Sequence, residues 1–251
     1  MLNWLRAHTN TWRALLFVAV VVIDMAIFWL ISYNITPGEG HSLRTFLDDH
    51  IPFLPWTIFL YSSVYTAAAY PLFAVRCPRL FRRTVTAYIL ILVIHLVFFV
   101  AYPVAGWDFR PDVTGMTVDS FAAWGVRLTF FVDPPTNLFP SQHVSMAVIA
   151  MLVAWRARAA AGLALLPIVI GICVSIATVK QHYVIDGVAG IALAVLIYWV
   201  IVRPYDDQGQ TPLEIGFSWR GPAGYFLLHL GFYSIFYLAY VSGFLPWEGG
   251  A

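Results

Sequence analysis

Two histidines and an aspartate stand at positions that could support covalent catalysis. His182 and Asp186 are four residues apart, so on a helix they share one face and the carboxylate can hold an imidazole N–H. A histidine held in this way presents its other nitrogen, neutral and nucleophilic, to an electrophile such as phosphorus. A second histidine, His143, could protonate the departing oxygen and later deprotonate the attacking group. These three residues predict phosphoryl transfer through a phosphohistidine.

Four further residues could bind the phosphate. Pro140 and Ser141 are typical of a helix start, and the free N–H groups near Gln142, together with the helix dipole, favour an anion. Arg110 and Lys180 would add full positive charges at the same level. The predicted phosphate-binding residues are therefore Arg110, Lys180, Ser141 and Gln142. Zinc is the alternative ligand, but zinc sites usually have closer spacing or more ligands, so we expect neither a metal nor any other cofactor.

The elements that position these residues are predicted to be membrane helices. Of 251 residues, 61% are hydrophobic and 11% are charged, which is typical of a chain embedded in a bilayer. We predict an all-α polytopic membrane bundle over residues 1–251, a single domain with a six-helix core and a seventh, C-terminal span. The predicted spans lie near residues 14–33, 52–75, 84–103, 142–155, 160–180, 184–202 and 223–244.

Charge predicts the orientation of these spans. With a cytoplasmic N-terminus, the inner segments carry Arg6, Arg13, Arg76, Arg79, Arg82, Arg83, Arg156, Arg158, Arg203 and Arg220. The outer segments carry only Arg44, Arg110, Arg127 and Lys180. This positive-inside bias places the reactive residues on the outer, periplasmic or lumenal, face. The net charge of +1 argues against a nucleic-acid partner and leaves the phospholipid bilayer and a membrane lipid substrate as the expected partners.

The motifs around the reactive residues resemble those of a known family. The shared motifs are Pro140-Ser141-x-His143 and His182-Tyr183-x-x-Asp186-x-x-x-Gly190. They are similar to the type 2 phosphatidic acid phosphatase superfamily over a catalytic core of about residues 84–203. That resemblance implies a six-helix core and a metal-independent site, with His182 as the nucleophile, Asp186 as its partner and His143 as the general acid.

Departures from the phosphatase pattern favour one branch of that family. Pro103 stands where the first motif has Lys, Gln142 replaces a Gly, and Ile176 replaces an Arg. The stretch Lys180-Gln181-His182-Tyr183 looks more like the inositol phosphorylceramide synthase branch, which implies transfer of a phosphorylated headgroup between lipids. A lipid phosphatase acting on phosphatidate or a polyprenyl diphosphate is the alternative within the family. The oligomeric state is left open.

Three features outside the motifs also carry expectations. Asp24 and His95 are ionisable groups at membrane depth, and they support a transporter as the alternative of another class. Residues 119–131 place Phe121, Trp124, Leu128 and Phe131 on one helical face, with Asp119 at the N-cap. This pattern predicts a short helix in the outer interface. The aromatic loop from Trp107 to Phe139 could cover the site.

Overall fold

A computed structural model describes residues 9–36, 38–205 and 220–248, and these contain helices but no β-strand, which confirms the all-α prediction. In chain order the helices are α1 (Thr9–Ser32), α2 (Phe46–His50), α3 (Ile58–Ser62), α4 (Val64–Ala67), α5 (Tyr70–Ala74), α6 (Pro78–Ala101), α7 (Phe121–Val132), α8 (Gln142–Ala157), α9 (Ala159–Thr178), α10 (Val184–Ile197) and α11 (Arg220–Val241). A 3₁₀ turn at Pro55–Thr57 precedes α3, and a π-helical turn at Tyr198–Val202 extends α10.

Five of these elements are long and apolar enough to cross a bilayer: α1, α6, α9, α11 and α10 with its π-helical extension. The chain is therefore an integral, multi-pass membrane protein. The predicted C-terminal span at 223–244 corresponds to α11. Arg6, one of the cations behind the predicted orientation, lies outside the described residues.

The predicted second span, 52–75, is not one helix. The structure divides it into the 3₁₀ turn and the short helices α3, α4 and α5. Pro55 and Pro71 each stand in the first two positions of such a piece, where a missing N–H is tolerated. A continuous helix would lose a hydrogen bond at each proline. The breaks bring Tyr61, on α3, to the interior of the bundle, where it is fully buried.

The core is built around α8, which packs against α6, α9 and α10. Small residues line this helix, so that its neighbours can approach closely, which is how helices associate where lipid supplies no hydrophobic drive. Gly190 of α10 marks a close approach to α8: an added Cβ would lie 2.6 Å from the backbone oxygen of Ser141. The Ser145 hydroxyl also donates to the Gly190 carbonyl at 3.0 Å. The start of α8 is thus locked against α10.

The predicted interfacial helix is α7, with two differences. Its N-cap is Ser120 instead of Asp119, because the Ser120 hydroxyl accepts the Ala123 N–H at 3.2 Å. It is also less exposed than expected, since Trp124 is buried and its indole donates to the Phe244 carbonyl at 2.7 Å. Trp124 also packs near Phe236 of α11. This face of the helix therefore contacts protein.

The two ionisable groups at membrane depth have polar partners. Asp24 accepts the side-chain N–H of Gln142 at 2.5 Å. His95 is fully buried, with Nδ1 donating to the Ile91 carbonyl at 2.8 Å and Nε2 at 3.4 Å from the Ser145 hydroxyl. Both groups therefore face the interior of the bundle, as polar groups at this depth usually do.

Candidate active site

The structure brings the two predicted catalytic histidines into contact. His182 lies in the short turn between α9 and α10, and His143 lies in the first turn of α8. The turn is set by Lys180, which has a positive φ of 62°, and by the His182 N–H, which donates to the Ile176 carbonyl at 3.0 Å. As a result His182 Nε2 is 3.2 Å from His143 Nδ1. The two rings can therefore act on one group.

The orientation of His182 comes from a backbone carbonyl and from Asp186. Nδ1 is 2.9 Å from the Leu138 oxygen and 3.5 Å from Asp186 Oδ2. A carbonyl can only accept, so the hydrogen of the neutral ring is on Nδ1, and Nε2 carries the free electron pair. His182 lies two residues before α10, whereas the spacing alone suggested one shared helix face. Asp186 also accepts the Tyr183 N–H at 2.9 Å, which caps that helix.

The environment of His182 keeps the ring neutral. The residue is 4% exposed. Burial lowers its pKa from 6.5 to about 4, against the opposing effects of Asp133 and of the Leu138 carbonyl. A neutral imidazole near pH 7 has an electron pair available for attack, so the ring is suited to nucleophilic catalysis.

Arg110 lies beside His182 and pairs with Gln181, a residue for which the sequence predicted no role. Its guanidinium donates to the Gln181 side-chain oxygen and to the Asp133 carbonyl, and it lies 4.6 Å from the centre of the Phe130 ring. Among the described residues, neither Arg110 Nε nor Gln181 Nε2 has a hydrogen-bond acceptor, although both atoms are buried. Two buried donors near His182 therefore lack an acceptor, and such groups normally have a partner.

The other three predicted phosphate ligands are engaged with protein groups. Ser141 is fully buried; its hydroxyl accepts the Val144 N–H at 3.4 Å, as predicted for an N-cap. The Gln142 amide donates to Asp24. The Lys180 ammonium donates to the carbonyls of Asp48 at 2.8 Å and Ile51 at 2.6 Å. The phosphate-binding roles of Ser141, Gln142 and Lys180 stay predictions.

Two further residues of the site, Tyr61 and Asp133, were not predicted from the sequence. The Tyr61 hydroxyl is 2.9 Å from His143 Nε2 and also 2.9 Å from Asp133 Oδ2. Tyr61 comes from an apolar stretch read as a plain span, so nothing nearby marked it. Asp133 offered a weak signal, because it precedes Pro134-Pro135 in an otherwise apolar segment.

The site opens into a cavity of about 560 Å³. Its polar lining includes His182, His143, Arg110 and Gln181. Most of the lining is apolar and includes Phe28 of α1, Leu128 of α7 and Phe232 of α11. A polar head and a long apolar chain would each find matching surroundings there. No group of three or more His, Cys, Asp or Glu side chains placed to hold a metal ion occurs in residues 9–36, 38–205 and 220–248.

Comparison with known proteins supports the family suggested by the motifs. The family model of the PAP2 superfamily matches residues 38–200, which is more than half of the chain and includes Arg110, Asp186 and both histidines predicted to be catalytic. Searches of curated proteins and of solved structures returned no significant match. The match begins well before the predicted catalytic core at residue 84. The chain therefore belongs to the PAP2 superfamily, whose members are phosphatases and phosphotransferases.

Proposed function

We propose that this protein is a lipid phosphotransferase that moves a phosphorylated headgroup between membrane lipids through a phosphohistidine on His182. The observation that carries the proposal is that the two histidines, in contact with each other, line a largely apolar cavity. A soluble phosphate ester would gain nothing from apolar walls of this extent. A lipid chain would be matched by them.

The phosphate has donors ready beside the nucleophile. Arg110 and Gln181 both line the cavity together with His182, and each has a buried donor, Nε and Nε2 respectively, that has no acceptor in the described structure and could be offered to a phosphoryl oxygen. Arg110 also supplies a full positive charge where negative charge accumulates in the transition state. The positive charge is in place before the substrate arrives.

The reaction has two half-reactions. In the first, His182 Nε2 forms a bond to phosphorus while the bond from phosphorus to the leaving oxygen breaks, and His143 gives that oxygen a proton. The ring of His182 gains positive charge, which Asp186 stabilises from 3.5 Å. In the second, an acceptor oxygen attacks phosphorus, its proton passes to His143, and the bond from phosphorus to His182 breaks. No metal is required in either step.

Transfer is preferred to hydrolysis because the nucleophile is shielded from water. His182 is 4% exposed, and the cavity walls beside it are apolar. A phosphohistidine in these surroundings can persist until an alcohol arrives. Gln142 in place of Gly and the Lys180-Gln181-His182-Tyr183 stretch support the same choice by resemblance to the inositol phosphorylceramide synthase branch.

We further propose that the N-terminus is cytoplasmic and the site is on the outer, periplasmic or lumenal, face. Arg83 donates to the Ile201 carbonyl, and Arg156 to the Tyr205 carbonyl, near the end of α8 remote from His143. With roughly 1.5 Å of rise per residue, the 13 residues from His143 to Arg156 place the two ends about 20 Å apart. The arginine-rich end then faces the cytoplasm, in agreement with the positive-inside rule.

The test follows a labelled headgroup. Purified protein receives a phospholipid labelled in its phosphorylated headgroup together with a native lipid extract, and the label is followed by mass spectrometry. We expect label in a second lipid, with none from the His182→Ala variant. His50→Ala is the matched control, because His50 is exposed and contacts the carbonyl of its own helix at Phe46.

Two outcomes would contradict the proposal. Substantial turnover by His182→Ala protein, free of endogenous activity, would refute the phosphohistidine mechanism. Label released only as inorganic phosphate or as free phosphorylated headgroup, dependent on His182, would show that water is the acceptor and that the protein is a lipid phosphatase.

A further inference from the structure

A continuous line of hydrogen bonds extends from the nucleophile to a buried carboxyl group. The links join the Leu138 oxygen to His182 Nδ1 at 2.9 Å, His182 Nε2 to His143 Nδ1 at 3.2 Å, His143 Nε2 to the Tyr61 hydroxyl at 2.9 Å, and that hydroxyl to Asp133 Oδ2 at 2.9 Å. Tyr61 is fully buried and Asp133 is 8% exposed. The outer part of this line belongs to no motif of the family resemblance.

The four links need one more hydrogen than two neutral histidines and the Tyr61 hydroxyl supply. The Leu138 carbonyl only accepts, so Nδ1 of His182 donates to it and Nε2 accepts from His143 Nδ1. Neutral His143 then has a bare Nε2. If Asp133 is ionised, the single hydrogen of the Tyr61 hydroxyl has two acceptors, His143 Nε2 and the Asp133 carboxylate. It can serve only one of them, so the other link has no hydrogen. In a buried site an unmade link of this kind is unfavourable.

A fourth proton completes all four links. It can reside on the Asp133 carboxyl, with Tyr61 donating to His143, or on His143 as an imidazolium, with Tyr61 donating to Asp133. The two arrangements differ only by hydrogen shifts across Tyr61. In both, the hydrogen on His143 Nδ1 faces the place where a leaving oxygen would stand once a phosphoryl group separates the two histidines.

We infer that Tyr61 and Asp133 form a proton relay that resupplies the general acid His143 with the proton it gives up, an inference that rests on the proposed phosphohistidine mechanism. Both are positioning residues, because each acts through His143. The Tyr61 ring also packs against His143, with ring centres 4.8 Å apart, and Arg110 holds the backbone of Asp133. The relay therefore has a fixed geometry.

The proton movements balance in both half-reactions. As the bond from phosphorus to the leaving oxygen breaks, that oxygen takes the Nδ1 hydrogen of His143. His143 Nε2 takes the Tyr61 hydrogen, and Tyr61 takes the carboxyl hydrogen of Asp133. His143 ends neutral and Asp133 ends ionised. In the second half-reaction the attacking alcohol gives its proton to His143 Nδ1, and the reverse shifts return a hydrogen to Asp133.

The experiment separates proton donation from mere packing by changing the leaving group. Two phosphodiesters with the same alkyl chain are compared in single-turnover reactions, one releasing an alcohol and the other releasing p-nitrophenolate, which departs without a proton. For Tyr61→Phe we expect release of the alcohol to slow by about 10²-fold or more, the usual contribution of a general acid, and release of nitrophenolate to change by less than about threefold. We expect the same two results for Asp133→Asn, which keeps the shape of the side chain but has no carboxyl proton to give.

Tyr70→Phe is the matched control. Tyr70 is also a fully buried tyrosine of the broken second span, but its hydroxyl donates to the Ala161 carbonyl, away from the site. It should release both leaving groups at the rate of the unmodified protein. The thermal unfolding midpoints of all three variants show whether each is folded, and Asp133→Asn keeps the test decisive if Tyr61→Phe is not.

Equal slowing for both leaving groups would show that Tyr61 and Asp133 only hold the structure, and unchanged release of the alcohol would show that His143 needs no relay. Either result overturns the inference while the phosphohistidine mechanism stands. The mechanism itself is tested by His182→Ala, which should release neither leaving group; release from that variant would instead overturn the proposed function.

Discussion

The substitution Gly190→Ala tests how tightly the fold controls the distance between the two histidines of the proposed mechanism. The added methyl group would lie 2.6 Å from the Ser141 backbone oxygen and 3.2 Å from the Ser145 hydroxyl. Ordinary contact begins near 3.4 Å, so α8 and α10 would have to separate by about 0.8 Å. A backbone oxygen cannot rotate away as a side chain can. The starts of these two helices carry or adjoin His143 and His182, so the separation reaches the site.

Two effects of opposite sign decide the stability of this variant. Alanine in place of glycine favours a helix by about 1 kcal/mol. Overpacking in a tight interface costs typically about 1–3 kcal/mol, and we expect the upper part of that range because the clash is with backbone. The free energy of unfolding should fall by about 1–2 kcal/mol. The same displacement should lower kcat on the order of 10²-fold, since misplacement of catalytic groups by about 1 Å has effects of that size.

Gly187→Ala is the control within the same helix. Its added methyl group would meet Ile176 Cδ1 at 2.7 Å, which is the flexible end of a side chain. We expect no loss of stability and turnover within about twofold of the unmodified protein, because the side chain can move aside. Thermal unfolding in detergent and the turnover assay compare the two variants. If Gly190→Ala proves as stable and as active as Gly187→Ala, the reasoning from helix approach is refuted.

The remaining predictions concern the reacting groups. His182→Ala and His143→Ala should each abolish turnover, and the double variant should be little worse, because the residues act as one unit; additive losses would contradict this. Burial lowers the pKa of His182 to about 4, so its neutral ring contributes stability that is complete above pH 6.5 and declines as the pH falls towards 4. An unfolding midpoint that does not change between pH 7 and pH 4.5 would contradict this. Arg110→Ala should raise KM and weaken vanadate inhibition. Lys180→Ala should chiefly lower the unfolding midpoint, because the Lys180 ammonium contacts two carbonyls of the protein. A raised KM and weaker vanadate inhibition in Lys180→Ala, with the unfolding midpoint unchanged, would instead support Lys180 as a phosphate ligand. Chelators should leave turnover unchanged, and loss restored by zinc would contradict metal independence.

Local patterns predicted the helical architecture and located the histidines, because hydrophobic runs and short motifs are properties of neighbouring residues. The contact between His143 and His182 could be anticipated from their common level in the bundle. The Leu138 carbonyl that orients His182 could not be anticipated, since nothing in the sequence distinguishes the backbone of Leu138 from that of its neighbours. Tyr61 was hidden for a related reason: its hydroxyl has a partner only because the second span breaks and turns this residue inward.

Lys180 shows the limit of reading charge as function. A lone lysine two residues before the nucleophile looked like a phosphate ligand from its position and charge. In the structure the chain turns at Lys180 with a positive φ, and the side chain leaves in the direction of Asp48 and Ile51. The backbone conformation at Lys180 thus directs its ammonium group towards these two carbonyls. Gln181 is next to it and faces the cavity, although it carries no charge.

The cavity walls formed by α1 and α11 bear on how the enzyme would meet its substrate. Both helices are long and apolar enough to be membrane spans, so the acyl chain of the proposed lipid substrate, lying against them, would still be at the depth of the hydrocarbon while its headgroup is beside His182. Such a substrate does not have to be extracted into water. The rate then depends on the mole fraction of the substrate in the membrane. Diluting the substrate with an inert lipid should slow turnover, whereas diluting the vesicles in buffer at constant mole fraction should leave the rate per enzyme unchanged.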